Sequence, residues 1–102
     1  MDFSASWCTP CRKLDDETFH DPAVVALAKE GFLMVKIDLT RSGNTLHEKL
    51  VEEYDVKGVP TVVFLDPRGK ESGHLRLVDF LPPAGFLQRM KAAQEETSER
   101  RE

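Results

Sequence analysis

Both cysteines of the chain lie in one short segment, Trp7-Cys8-Thr9-Pro10-Cys11. A disulfide between residues so close closes a small ring and stabilises the fold by only about 2 kcal/mol through the unfolded chain, so it is a poor staple. It is a better reversible redox couple. With both sulfurs at the start of one helix, the first faces unpaired backbone N–H groups and the positive end of the helix dipole, which favour thiolate over thiol. The chemistry this implies is thiol–disulfide exchange: Cys8 attacks a partner disulfide, then Cys11 attacks Cys8 and releases the reduced partner. The competing use of such a pair is zinc, which takes four ligands. The chain has no second cysteine pair, and His20, His47 and His74 are scattered without ligand spacing. Each reads as a surface histidine, and no metal site is expected.

This chemistry needs a strand, a loop and a helix in that order. Asp2-Phe3-Ser4 reads as the end of a strand, and Cys8 to about Glu17 as a helix. Its entry through Thr9-Pro10 is tolerated because the missing proline N–H has no intrahelical partner there. Asp21-Pro22, a cap followed by proline, opens a second helix through Val24, Val25, Leu27 and Ala28 that Gly31 ends. Residues 32–39 form an apolar run that then alternates, as in a buried parallel strand. Thr45-Leu46-His47-Glu48 matches a capping box, opening a helix with Leu46, Leu50 and Tyr54 on one face and Val51 beside them. Residues 61–65 read as a second buried strand and Asp66-Pro67-Arg68-Gly69 as a turn. Residues 75–78 alternate as a strand antiparallel to that one. Pro82-Pro83 introduces a last helix with Phe86, Leu87, Met90 and Ala93 inward. Residues 1–94 thus make one domain, and 95–102 a polar tail expected to fray.

At 102 residues, with 40% hydrophobic and 31% charged side chains, the chain supports one modest core. A formal charge of −4 leaves no basic footprint for nucleic acid. No apolar run approaches the ~20 residues of a membrane span. No signal peptide is visible at Met1, and a close cysteine pair fits a reducing cytosol or an oxidising envelope equally well.

The order of elements, together with Trp7-Cys8-Thr9-Pro10-Cys11 and Gly58-Val59-Pro60-Thr61, resembles the thioredoxin fold, an α/β architecture with a central mixed sheet flanked by helices. The stretch from Asp15 to Val24 is most similar to the C-terminal domain of the bacterial transmembrane disulfide reductase DsbD and to related free-standing thioredoxin-like proteins. In that family a Thr-Phe-x-Asp-Pro-x-Val segment follows the active-site helix.

The resemblance implies roles for individual residues. Cys8 matches the exposed attacking cysteine and Cys11 the buried, resolving one. Pro60 matches a cis-proline opposite the cysteines, with Val59 offering backbone polar groups to an extended substrate. Trp7, Thr9 and Pro10 complete the partner-facing surface, although Trp7 also reads as a core residue. Asp2 matches a buried acid beneath the pair that accepts the proton of Cys11; its other reading is an exposed acid at the chain end. Asp15 falls where the family, often with Glu, has a second carboxylate; its other reading is a solvated helix charge. Phe19 is expected in the core, fixing the insert.

Proline between the cysteines recurs in reducing members of the fold, so the expected activity is that of a reductant passing electrons to protein disulfides. The partners implied are protein substrates with disulfides and a dithiol electron donor, with no cofactor. The DsbD-like resemblance implies the periplasmic side of a bacterial envelope, the cytoplasm being the alternative. Two other functions stay open: a peptide-docking module whose redox couple is idle, and a copper-handling relative. The family also begins with an edge strand and helix ahead of the Asp2 strand, which are absent here. The strand at 32–39 is therefore expected to carry an unpaired edge, and the chain to be a monomer or to self-associate weakly there.

Overall fold

The computed structural model describes residues 1–100, with side chains through residue 98. Its sheet has three strands in the order β2-β1-β3. The central β1 (Asp2–Ser4) runs parallel to β2 (Lys36–Asp38), placing Phe3 beside Ile37, and antiparallel to β3 (Thr61–Val62), placing Asp2 beside Val62. The sheet is mixed, as expected, and β2 lies at its edge.

The strands are shorter than their apolar runs. A strand exists only as far as its neighbour does, and β1 offers three residues. Asp2 N–H donates to Val35 O at 2.8 Å and Leu39 N–H to Ser4 O at 2.7 Å, and there the ladder ends. The expected strand at 32–39 is thus corrected to Lys36–Asp38, and Leu33, Met34 and Val35 are 88%, 49% and 39% exposed. Beyond β3 the expected strand at 61–65 persists as Val63 N–H donating to Met1 O at 2.8 Å and an isolated bridge between Leu65 and Glu71. The expected strand at 75–78 is replaced by a 3₁₀ turn, Gly73–Leu75, and a single antiparallel bridge between Leu77 and Val62. Arg89 Nη1 donates to Leu75 O at 3.3 Å and to Arg76 O at 3.0 Å, and of these Leu75 O is the acceptor that the next step of the ladder would use.

Helix α1 (Thr9–Lys13) carries Pro10 in its first turn, then widens into a π-helical segment, Leu14–Thr18, where Phe19 N–H donates to Leu14 O at 2.8 Å. A single α-helix to Glu17 is therefore corrected. The wide turn accompanies two long-range contacts: Thr18 Oγ1 donates to Leu81 O at 2.6 Å, and the Phe19 ring meets Phe86 edge-on at 5.2 Å. Helix α2 (Pro22–Gly31) starts on Asp21, whose Oδ1 accepts from the N–H groups of Ala23 and Val24.

Helix α3 (Thr45–Glu53) is capped by Asn44 accepting from His47 N–H at 3.1 Å, not by Thr45. Leu46 is 64% exposed rather than inward, while Leu50, Val51 and Tyr54 pack on the cluster of Phe3, Ile37 and Val63. Helix α4 (Pro83–Arg100) buries Phe86, Met90 and Ala93, with Leu87 partly covered. It continues through residues expected to fray; the last two of that tail, 101 and 102, lie outside the described residues.

Alternation along the chain splits the core in two. Val62 and Phe64 join Leu14, Val24, Phe86 and Met90 on one side of the sheet, whereas Val63 joins Phe3 and Ile37 on the other. Among the described residues, no helix is long and apolar enough to cross a membrane.

Candidate active site

β1 leads through Ala5 directly to the cysteines. Cys8 N–H donates to Ala5 O at 3.2 Å, and the loop is held against the end of β2 by Ser6 N–H donating to Thr40 Oγ1 at 2.8 Å. Cys8 is the extended N-cap of α1, and its Sγ accepts from Cys11 N–H at 3.2 Å. The two cysteines form a disulfide with their Cα atoms 5.2 Å apart. In this state Cys8 is 4% exposed and Cys11 2%, so the expectation of a partly exposed first sulfur is corrected. Both cysteines lie in a cluster with Ala5, against which Val59 packs.

The Val59–Pro60 peptide is cis, as expected. Pro60 is buried, and Thr61 Oγ1 donates to Gly58 O at 2.6 Å, tightening the turn before it. Trp7 is 69% exposed, so it is not core; Thr9 is exposed and Pro10 half-buried on the same helical entry. The structure therefore gathers Cys8, Cys11 and Val59 into one packed cluster, with Trp7, Thr9 and Pro10 adjoining it along the chain.

Asp2 and Asp15 belong to a charged group built around Lys36. Lys36 Nζ lies 2.6 Å from Asp15 Oδ2, and the hydrogen bond to Asp15 raises the lysine's pKa. Asp15 is thus ion-paired rather than merely solvated, and its carbonyl oxygen also meets His20 Nδ1. Asp2 sits half-buried on β1. Burial pushes its carboxyl up from 3.8 to about 6, the charge of Asp15 pushes the same way, and Lys36 and the N-terminal ammonium oppose it. An acid of that pKa is able to take up a proton near neutrality. Among the described residues, no three His, Cys, Asp or Glu side chains converge as a metal site.

Three residues that sequence reasoning did not single out shape this end of the molecule. Arg76 Nε and Nη2 donate to the two carboxylate oxygens of Glu71 at 2.7 and 2.6 Å, and the same guanidinium donates to Tyr54 O at 2.6 Å and Asp55 O at 3.3 Å. It pins the segment that leads from α3 into Val59–Pro60. Val78, 67% exposed, lines with Lys57, Val59, Pro60 and Thr61 an open groove of 390 Å³. Nothing in the sequence marks these side chains, because Arg76 and Val78 occupy the outward positions of an alternating run, where solvated residues are the norm.

Comparison with known proteins agrees with this geometry. A family model described as a thioredoxin-like domain matches residues 1–94. The thiol:disulfide interchange protein DsbD of Vibrio vulnificus is 36% identical over 91 residues, covering 89% of this chain and 15% of that protein. DsbD 2 of Pseudomonas aeruginosa is 32% identical over 95 residues, 93% of this chain and 16% of its own length. The chain therefore spans about 15% of the length of these relatives. Among solved structures, a thioredoxin from Thermus thermophilus superposes with a TM-score of 0.81 at 26% identity, over 99% of this chain and 76% of the other. The reduced C-terminal domain of Neisseria meningitidis DsbD gives 0.77 at 26% identity, over 90% and 76%. From the matched family model over residues 1–94, with Cys8 capping α1 and Val59 of the cis Val59–Pro60 peptide packed against the cysteines, the chain belongs to the thioredoxin-like domain family.

Proposed function

We propose that the chain is a thiol–disulfide oxidoreductase that acts as a reductant of protein disulfides. The observation that carries this reading is the Cys8–Cys11 disulfide at the start of α1, with Cys11 N–H already donating to Cys8 Sγ. When the pair is reduced, the same donor and the start of α1 stabilise negative charge on Cys8. The Cys8 thiolate attacks one sulfur of a substrate disulfide, forming a mixed disulfide and releasing the other sulfur as a thiolate that takes up a proton. Cys11 loses its proton to a carboxylate, attacks Cys8 Sγ, and expels the second substrate sulfur. The two electrons delivered leave Cys8 and Cys11 joined, and a dithiol donor must restore them. Asp2, with its carboxyl raised to about 6, suits the proton acceptor, and Asp15, held by Lys36, contributes by raising Asp2. The surface of Trp7, Thr9, Pro10, Val59 and Pro60 receives the extended substrate chain.

Insulin reduction tests the reading. The reduced protein should cleave insulin disulfides stoichiometrically, Cys8→Ser should be inert, and Cys11→Ser should accumulate a mixed disulfide through Cys8. Binding of the substrate without loss of its disulfides would instead identify a docking module. Equilibration with glutathione would fix the direction, a reductant holding a potential well below that of the glutathione couple.

A further inference from the structure

The chain leaves α3 through an exit that glycine usually makes. Val56 N–H donates to Val51 O at 2.9 Å and Asp55 N–H to Glu52 O at 3.2 Å. These are the paired bonds with which a helix ends on a left-handed residue. That residue here is Asp55, with φ at +50°. A side chain with a Cβ adopts this conformation only at a cost, so a contact must favour it. The ion pair of Asp55 with Lys57, at 2.9 Å, is mostly exposed on both sides and contributes little. Arg76 is better placed. Its Nη2 donates to Tyr54 O at 2.6 Å and its Nη1 to Asp55 O at 3.3 Å, the carbonyls on either side of the left-handed turn. Glu71 holds the other edge of the guanidinium, and the Arg76 and Glu71 side chains are only 22% and 20% exposed. A lysine cannot reproduce that planar fork.

Asp55 stands four residues ahead of Val59, so the direction in which the chain leaves it decides where Val59 arrives. α3 itself, without a fully buried residue, is a weak anchor. Val59 N–H and C=O have no hydrogen-bond partner among the described residues. Val59, Pro60, Thr61 and Arg76 line the same open groove. We propose that Arg76 is a positioning residue for substrate binding. It fixes the left-handed exit of α3 and thereby holds Val59 ready to receive an extended chain, so that the site prefers disulfides within polypeptides to small ones. The inference rests on the reductant reading given above.

Insulin reduction, with dithiothreitol as the electron donor, compares the wild type with Arg76→Lys, circular dichroism confirming the fold. KM for insulin should rise about tenfold with kcat within about twofold, the pattern of lost substrate binding. Reduction of hydroxyethyl disulfide, which has no chain to lay in the groove, should change far less. A KM at the wild-type value, or an equal loss with both disulfides, would overturn the role. The two readings fail separately. A wild type that leaves insulin intact overturns the reductant, and binding of S-methylated insulin B chain to the oxidised protein then decides the role of Arg76. Followed through the Val59 and Thr61 amide signals, that binding should weaken about tenfold in Arg76→Lys. Equal binding by both proteins, or none by the wild type, would overturn the proposal. Should Arg76→Lys fail to fold, Glu71→Gln, which loosens one edge of the fork, should raise KM about threefold. An unchanged KM in that variant would likewise overturn it.

Discussion

Helices α3 and α4 cover opposite faces of the same sheet and are held to it very differently. α4 buries Phe86, Met90 and Ala93 completely or nearly so, and Phe86 lies 5.2 Å from the Phe19 ring and 5.6 Å from that of Phe64. α3 has no fully buried residue and rests on partly covered Leu50, Val51 and Tyr54. The two halves of the active end are divided accordingly. The cysteines ride on a helix that continues into Leu14, inside the α4 core, whereas Val59 and Pro60 follow from the lightly anchored α3. What compensates on that second half is polar: Arg76, gripping Glu71 with one side of its guanidinium and the carbonyls of Tyr54 and Asp55 with the other.

The largest test of that contrast is Phe86→Ala, which should destabilise the fold by about 3–5 kcal/mol in urea unfolding, because it opens a cavity beneath three elements. A loss as small as that of an exposed site would break the comparison. Next is Asp2→Asn, on the strand the two halves share. The folded carboxyl titrates at about 6 against 3.8 ordinarily, so the native state binds more protons between those values and stability falls as pH rises through them. Removing the charge should therefore stabilise the protein by up to about 3 kcal/mol at pH 8, with no gain below about pH 4. Turnover at neutral pH should fall in the same variant for want of a proton acceptor. A stability gain that persists in acid would refute the assignment.

Arg76→Ala should cost about 2 kcal/mol, since it removes charge-assisted hydrogen bonds and strands Glu71 in a partly covered site. It should also loosen the loop before Val59, which hydrogen exchange at residues 56–59 would register. Smallest is Leu46→Ala on the exposed start of α3, where a change within about 0.5 kcal/mol is expected from thermal unfolding. A larger loss there would mean that α3 is anchored more firmly than its burial indicates.

The parts legible in the sequence are those set by local chemistry. The cysteine spacing, the Asp21-Pro22 helix start and the apolar positions 86, 87, 90 and 93 of α4 each announce themselves within a few residues. What was not legible depends on distant partners. Residues 32–35 are as apolar as a buried strand, yet no strand lies beside them among the described residues. The π-helical turn accompanies Thr18 reaching Leu81, 63 residues away. The segment at 75–78 alternates like a strand, and its buried Leu75 and Leu77 obey that pattern, but Arg89 donates to Leu75 O, the acceptor the next step of a ladder would need. In the site, spacing supplied Cys8 and Cys11 and the resemblance the cis-proline, while Lys36, Glu71 and Arg76 emerged only from the folded geometry.

The exposed position of Trp7 has a practical consequence. It is the single tryptophan of the chain, and its indole stands in the residue next to Cys8. An excited indole readily gives up an electron to a neighbouring disulfide and less readily to thiols, so its emission is a built-in gauge of whether the sulfurs are joined. Whether Cys8 and Cys11 are joined can thus be followed by light, on the unlabelled chain.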